Sequence, residues 1–278
     1  MPDYMRGKSI IITGAAGGFG ALVSQKAAAM GARVTCADIN VEAAAAVVSA
    51  IKAAGGEAQA VAADVTDIAS MKSLARAAMA AYGAIDVMIN NAGVMPLAFF
   101  SDHDIALEKW HQCIDINFKG VVNGIAAVYD QMIEQGRGHV INLSSIYGNF
   151  PVTGGAVYGG TKAAVNFVSE SLRVEARGKI KVTIVKPTGV PATGLSGSIV
   201  NQAAAVGIVA QNMGEFGAMV EQIGAGTLPV EAGDSENIAY QSLAPEHIAD
   251  QIIHAINQPW GVSIGDITIR ATGDHFIL

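Results

Sequence analysis

Cysteine, charged residues and aromatic residues are scarce in this chain. Its 278 residues include 2 cysteines, 6% aromatic residues and 15% charged residues. Two cysteines do not make a disulfide framework, so we expect Cys36 in a strand and Cys113 in a helix to be buried, reduced thiols. The net charge of −7 and pI near 5.3 exclude the clustered basic face that a nucleic-acid partner requires.

Long apolar runs are also missing. Hydrophobic residues make up 51% of the chain and the mean hydropathy is +0.38. Yet stretches such as "AAAAVVSAIKAAGG" are interrupted well before the ~18 apolar residues that a membrane-spanning helix needs. We therefore expect no membrane contact. The charged start "MPDYMRGKS" does not resemble a secretion signal, so we expect a cytoplasmic location. The histidines show no pair at metal-binding helical spacing, and no metal is expected.

Short apolar runs alternate with longer helical patterns along the whole chain. The runs are "SIIITG", "ARVTCAD", "AQAVAAD", "IDVMINNAG", "GHVINLSS", "KVTIVKP" and "DITIRAT". Strands that are apolar throughout and are separated by helices indicate βαβ units and a parallel sheet covered on both faces. The sequence therefore predicts one domain over residues 1–278 with a doubly wound α/β fold of about seven strands.

One long connection interrupts this alternation. Residues 193–242 are rich in glycine, alanine and methionine, show weak periodicity, and are too long for an ordinary connection. They follow the strand whose carboxyl end should border a ligand crevice. We expect a partly helical lid whose apolar residues wall a substrate pocket: Leu195, Ile199, Val200, Ile208, Met213, Phe216, Met219 and Val220. A subunit-contact insertion is the alternative.

A glycine-rich turn follows the first apolar run. "SIIITGAAGGFGALV" has the order strand, glycine turn, helix, and the next strand ends at Asp38. Glycines allow the backbone to approach a pyrophosphate, whose charge then lies at the positive end of the following helix. An acid at the position of Asp38 accepts hydrogen bonds from the adenosine ribose and repels a 2′-phosphate. The pattern predicts dinucleotide binding and favours NAD over NADP.

A phenol and an ammonium lie four residues apart in "YGGTK". On a helix this spacing presents Tyr158 and Lys162 on one face, one turn apart. Tyrosine is a weak acid, with an ordinary pKa of about 10. We expect the Lys162 ammonium, together with the positive ring of the oxidised cofactor, to stabilise the phenolate and lower the pKa of Tyr158 into a range useful for proton transfer.

The glycine turn, Asp38, "NNAG" at 90–93, Ser145 and "YGGTK" at 158–162 occur here in an order that resembles the classical branch of the short-chain dehydrogenase/reductase family. The resemblance covers nearly the whole chain. It implies a catalytic tetrad of Asn117, Ser145, Tyr158 and Lys162, called here the predicted tetrad. It also implies cofactor contacts from Gly14, Ala16, Gly17, Gly18, Phe19, Gly20, Asp38, Ile39, Asp64, Val65, Asn91, Ala92, Gly93, Tyr158, Lys162, Pro187 and Val190.

The same resemblance implies an NAD-dependent oxidoreductase that interconverts a secondary alcohol and a ketone, acting as a homotetramer or homodimer. Ser145 would orient the substrate oxygen, and Asn117 would support a proton relay toward Lys162, which also holds the nicotinamide ribose. "KPTGVPATGL" departs from the family pattern, because Thr188 replaces a glycine and Thr193 comes one residue late.

Other assignments stay open at this point. Tyr147 and Asn149 are candidates for the substrate pocket, whereas His103 is expected at the surface. The alternatives to an alcohol dehydrogenase are a non-catalytic dinucleotide sensor and a sugar-nucleotide epimerase or dehydratase. The intact tetrad counts against the sensor, and the lack of an evident C-terminal substrate domain counts against the epimerase.

Overall fold

The computed structural model describes residues 3–190 and 193–277. The strands are β1 (Ser9–Thr13), β2 (Arg33–Asp38), β3 (Glu57–Ala62), β4 (Val87–Asn90), β5 (Gly138–Leu143), β6 (Ile180–Pro187) and β7 (Asp266–Ile269). Over these ranges they form a seven-stranded sheet in the order β3-β2-β1-β4-β5-β6-β7, with every neighbouring pair parallel. The predicted doubly wound α/β fold is confirmed.

Helices cover both faces of this sheet. They are α1 (Gly18–Ala29), α2 (Val41–Ala53), α3 (Ile68–Tyr82), α4 (His103–Ile114), α5 (Gly120–Glu134), α6 (Ala156–Glu175), α7 (Val206–Val209), α8 (Met213–Ala225), α9 (Val230–Gly233) and α10 (Pro245–Ile256). Alternation along β1 sends Ile10 and Ile12 into a core with α1, α2 and α10, and Ile11 into a core with α3, α5 and α6. Both faces are therefore buried, which explains the uniformly apolar strands.

The strand order reverses between β1 and β4, and the connections leave these two strands in opposite directions. In open α/β sheets the crevice at the carboxyl ends of such strands is where ligands bind. The glycine turn follows β1, and "NNAG" follows β4. Ser145 lies just beyond β5, and Pro187 ends β6. The topology therefore gathers the predicted site residues at one edge of the sheet.

Residues 193–242, called the lid segment below, contain α7, α8 and α9 together with short 3-10 helices. The expected partly helical structure is confirmed, whereas closure over a site stays a prediction. Ile208 and Val209 of α7 are buried, but no residue of α8 is. Within the described ranges, no helix has the length and apolar character needed to cross a membrane.

Candidate active site

The glycine turn packs tightly on one side and is open on the other. A Cβ atom on Gly20 would lie 2.2 Å from the Gly14 carbonyl oxygen, so only glycine fits where α1 leaves the turn. At Gly17 no heavy atom lies within 4 Å of the place a Cβ would take. The first backbone N–H groups of α1 begin at this open side and give it a partial positive charge. This combination fits a phosphate group.

Thr13 and Asn91 hold the turn against the loop after β4. The Asn91 side-chain amide donates to the carbonyl oxygens of Thr13 at 2.9 Å and Gly14 at 3.1 Å. In return, the backbone N–H groups of Asn91 and Ala92 donate to the Thr13 hydroxyl at 3.1 and 3.2 Å. No local sequence pattern indicates this role of Thr13, because its bonding partners lie in the loop after β4, far along the chain.

Asp38 lies at the end of β2, directly beside the turn. Its carboxylate accepts the Ala16 backbone N–H at 3.0 Å and the Asn40 backbone N–H at 2.9 Å, one on each oxygen. Each carboxylate oxygen can accept a further hydrogen bond, and the side chain is only half-buried. Next to it, Ile39 is 76% exposed. A planar apolar group could therefore pack on Ile39 while Asp38 binds hydroxyls.

The other predicted adenosine-side residues surround the same crevice. The Asp64 carboxylate accepts the Thr66 backbone N–H and hydroxyl at 2.8 and 2.7 Å, which fixes the end of β3. Val65 packs on Gly120, where a Cβ would come within 2.8 Å of it. Phe19, at the start of α1, packs against the core on the α1 face of the sheet.

The predicted tetrad converges at the carboxyl edge of the sheet. Tyr158 and Lys162 lie on α6 and are 3% and 5% exposed, and Ser145 and Asn117 are also buried. The Lys162 ammonium donates to the Leu143 carbonyl at 2.8 Å and lies 5.7 Å from the centroid of the Tyr158 ring. The Ser145 hydroxyl accepts the Tyr147 backbone N–H at 3.2 Å and is near enough to the Tyr158 phenol to influence its pKa.

Gly93 lies where Asn117 and Lys162 meet. A Cβ built on Gly93 would be 3.3 Å from the Asn117 Oδ1 atom and 3.8 Å from the Lys162 Nζ atom. The loop after β4 therefore reaches the predicted tetrad as well as the glycine turn. A single ligand lying across this edge would contact both.

Asn117 is held by a π-helical turn, Asp115–Lys119, between α4 and α5. Its amide accepts the Val94 backbone N–H at 2.9 Å and donates to the Val94 carbonyl at 2.8 Å. The same amide nitrogen lies 3.2 Å from the Cys113 sulfur and 3.3 Å from the Thr161 hydroxyl. Sequence analysis missed these two supports, although Cys113 precedes Asn117 by one helical turn.

Burial governs the protonation of the predicted tetrad. It raises the pKa of the Tyr158 phenol, and the nearby Ser145 hydroxyl only partly opposes this rise. Burial lowers the pKa of the Lys162 ammonium to about 8. Desolvation therefore dominates the pKa of Tyr158 in the protein itself, and the lowering expected from Lys162 together with the oxidised cofactor stays a prediction.

The remaining pocket candidates separate into buried and exposed residues. Tyr147 is buried, with its ring centroid 5.3 Å from that of Tyr158 in an edge-to-face arrangement. Asn149 lies at the surface. His103 begins α4, is largely exposed and pairs with Asp104 at 3.0 Å.

Beyond β6 the chain returns to the glycine turn. Pro187 is buried at the strand end, Val190 packs against the core on the α1 face, and the following Pro191 and Ala192 lie outside the described residues. The Thr193 carbonyl oxygen lies 3.0 Å from the place a Cβ on Gly18 would take. The start of the lid segment therefore borders the open side of the turn. Thr188 fills a family glycine position and is buried.

Comparison with known proteins identifies the chain. The family model described as short chain dehydrogenase matches residues 8–224. An uncharacterized oxidoreductase of Listeria monocytogenes is 34% identical over 271 residues, which cover 96% of this chain and 98% of that protein. The 2,5-dichloro-2,5-cyclohexadiene-1,4-diol dehydrogenase of Sphingobium indicum is 37% identical over 191 residues, covering 68% of this chain and 75% of that enzyme.

Solved structures of similar proteins agree with this family match. A metagenomic short-chain oxidoreductase in complex with NADP has a TM-score of 0.73 at 27% identity and covers 97% of this chain and 99% of its own. A short-chain dehydrogenase/reductase of Burkholderia phymatum in complex with NAD has a TM-score of 0.75 at 25% identity. The match covers 96% of this chain and 90% of that protein. Fold and site together define a Rossmann-type oxidoreductase. The chain belongs to the short-chain dehydrogenase/reductase family.

Proposed function

We propose that this protein is an NAD(H)-dependent oxidoreductase that interconverts a secondary alcohol and a ketone. The observation that carries the proposal is the buried Tyr158 phenol, close to Ser145 and one helical turn from Lys162, at the carboxyl edge of the sheet. A bound nicotinamide cofactor supplies or accepts the hydride.

The protein's own residues donate the proton to the substrate oxygen and replace it afterwards. Tyr158 is a neutral phenol near pH 7, and in the reducing direction it donates its proton to the substrate oxygen as negative charge develops there. Ser145 hydrogen-bonds the same oxygen and stabilises its developing negative charge. Lys162, whose pKa is about 8, supplies positive charge beside the phenol and can replace its proton. Asn117, fixed by Val94, positions a water that connects Lys162 to solvent.

The cofactor is held along the whole crevice. The glycine turn, from Gly14 to Gly20, takes the pyrophosphate, and Asp38 with Ile39 takes the adenosine ribose and one face of the adenine. Asp64, Val65, Asn91, Ala92 and Gly93 line the adenosine half, while Lys162, Pro187 and Val190 lie at the nicotinamide end. Relatives of this fold bind either NADP or NAD. For this chain Asp38 supports NAD, because its carboxylate would repel a 2′-phosphate.

The proposed substrate is uncharged and largely apolar. An apolar cluster packs around Tyr158 and consists of Leu97, Cys113, Ile146, Tyr147, Ala204, Ile208 and Val209, with Ile199, Phe216 and Phe276 at its margin. An ionic substrate would lose solvation among these apolar side chains. The diol dehydrogenase of Sphingobium indicum, by its name, acts on a cyclic diol, which agrees with such a pocket.

We also propose a cytoplasmic homotetramer or homodimer of a single catalytic domain. Supporting this assembly, Phe167 and Val174 on α6 are 78% and 76% exposed, and Val122 on α5, which is 38% exposed, lines a groove with Val168 of α6. Exposed apolar side chains on two adjacent helices are typical of surfaces that pair with a second copy. The lid segment then remains available for substrate.

The proposal is tested by following NADH and NADPH consumption with a panel of uncharged ketones, and NAD reduction with the matching alcohols. We expect turnover with ring-bearing ketones and NADH, and loss of turnover in Tyr158→Phe. Tight NADH binding without turnover of any substrate would indicate the sensor alternative. Activity confined to nucleotide sugars, without net NADH consumption, would indicate the epimerase alternative.

A further inference from the structure

Residues 270–277, called the C-terminal tail below, follow β7 and return to the lid segment. The Ile277 backbone N–H donates to the Ile208 carbonyl at 3.0 Å, and the Asn212 side chain donates to the His275 carbonyl at 2.9 Å. Near the other end of the lid segment, the Gly273 backbone N–H donates to the Tyr240 carbonyl at 2.8 Å. The C-terminal tail therefore forms hydrogen bonds with the middle of the lid segment and with a residue close to the end of the lid segment.

The C-terminal tail also has internal bonds that fix its shape. Arg270 forms an ion pair with Asp274 at 2.6 Å and donates to the Phe276 carbonyl. His275 is 7% exposed, and its ring centroid lies 6.3 Å from that of Phe216 on α8. These contacts hold the backbone at Phe276 in one position.

That position is at the nicotinamide end of the proposed cofactor crevice. A Cβ on Gly189 would lie 2.1 Å from the Phe276 Cζ atom, so the ring rests directly on the Gly189 backbone, between Pro187 and Val190. The ring centroid is 6.1 Å from that of Phe216. Phe276 also packs against the apolar cluster that contains Tyr147 and Tyr158. The ring thus contacts both the loop after β6 and the surroundings of the proposed proton donor.

We propose that Phe276 is a substrate-specificity residue, whose ring together with that of Phe216 forms an aromatic wall that favours cyclic or aryl ketones over small open-chain ones. This inference rests on the proposed function. Aromatic rings attract the edges or faces of other rings beyond the effect of buried area, whereas a short alkyl ketone leaves the wall partly uncovered. The specificity residue comes from the end of the chain, far from every motif that resembles the family.

The test uses the full-length enzyme and compares kcat/KM for cyclohexanone or acetophenone with kcat/KM for 2-butanone. In Phe276→Ala we expect this ratio to fall about 10-fold, mostly through KM of the ring-bearing ketone, and in Phe276→Leu by a smaller factor. The control is Ile277→Ala: its side chain is 41% exposed, and its backbone bond to Ile208 is kept. NADH affinity, measured by fluorescence, should stay within about threefold in all three variants.

Gly189→Ala tests the position of the same ring by a substitution in the backbone segment on which it rests. The new methyl group would displace the Phe276 ring, so this variant should also change the ratio, and adding Phe276→Ala should cancel most of its separate effect. A ratio unchanged in Phe276→Ala, or an equal loss for both ketones with a lower melting temperature, means that the tail is only a structural brace and overturns the inference. If the wild type reduces no ketone in the panel with either cofactor, the proposed function fails first and the inference with it.

Discussion

The two edges of the sheet both contain buried lysines, but the groups that surround these lysines differ. At the carboxyl edge, Lys162 lies beside Tyr158 and Ser145. At the amino edge, Lys8 precedes β1 and Lys181 belongs to β6, and these residues are 7% and 8% exposed. Their ammonium groups lie 4.7 and 5.5 Å from the centroid of the Trp260 ring. Burial lowers the pKa of Lys8 and of Lys162 alike, to about 8.

The difference lies in what each ammonium can exchange a proton with. Lys8 donates to the Ile256 carbonyl at 2.8 Å and Lys181 to the Val262 carbonyl at 3.0 Å. Both thereby satisfy backbone groups at and beyond the end of α10. Lys162 also donates to a carbonyl, that of Leu143, but has a phenol nearby. A shifted lysine pKa therefore does not by itself mark an active site; the neighbouring groups decide between stabilisation and chemistry.

The strongest test of this contrast removes the phenol. In Tyr158→Phe we expect turnover to fall by about 10²–10⁴-fold, because general acid catalysis typically contributes that much and only the proton donor is deleted. NADH binding should be retained, as measured by fluorescence titration. Retention of more than about a tenth of kcat would contradict the assignment of Tyr158 as the proton donor.

Substituting Lys162 and Lys8 one at a time distinguishes the catalytic role expected at the carboxyl edge from the structural role expected at the amino edge. Lys162→Met should lower kcat by about 100-fold or more, because the phenol loses its nearby positive charge. Lys8→Met should leave kcat within about twofold but cost about 1–3 kcal/mol in the free energy of unfolding, because the Ile256 carbonyl loses its donor. Steady-state kinetics and denaturant unfolding measure the two effects. Comparable kinetic losses in both variants would remove the distinction.

Cofactor choice should depend on the carboxyl edge alone. We expect kcat/KM with NADH to exceed that with NADPH by at least ~10-fold, which requires only ~1.4 kcal/mol of repulsion from Asp38. Asp38→Ser should reduce the preference. It also removes a carboxylate acceptor of the Ala16 N–H group, so NADH affinity should fall too. Equal use of both cofactors by the wild type would refute the role of Asp38.

The amino edge makes a pH-dependent contribution to stability. Because the pKa of Lys8 is about 8 in the folded protein and ordinarily 10.5, the unfolded chain binds more protons between these values. Stability of the wild type relative to Lys8→Met should therefore rise with pH through this window. We expect a gain of about 1 kcal/mol, since solvent screens part of the effect. Urea unfolding at pH 8 and pH 10.5 measures it, and a constant difference would show that Lys8 does not titrate there.

The smallest effects are expected in the lid segment. Leu195→Ala and Met213→Ala should change KM and the ranking of ketones a few-fold, while NAD affinity stays within about threefold. Met213 is 38% exposed, so its substitution should cost little stability. An unchanged ranking with weaker oligomers would make this segment a subunit contact.

Local order along the chain was enough to predict the framework. Apolar runs alternating with helical patterns gave the parallel sheet, since a strand buried on both faces must be apolar throughout. The glycine turn after β1 and the Tyr158/Lys162 spacing on α6 could also be predicted from the sequence, because each depends on residues within one or two helical turns. The roles assigned from the resemblance stay predictions until the variants above are measured.

Contacts between distant segments, and the electrostatics of burial, needed the tertiary structure. Neither the bonds from Thr13 to the loop after β4 nor the Val94 clamp on Asn117 follows any sequence period, because each joins separate strand ends or loops. The rise in the pKa of Tyr158 could not be predicted from sequence, because the desolvation that causes it depends on all the segments packed around the phenol. Phe276 reaches Gly189 only because β7 lies beside β6 and directs the C-terminal tail back across the sheet edge. The sequence by itself determined the fold and the candidate residues; packing decided which of them meet and in what state of charge.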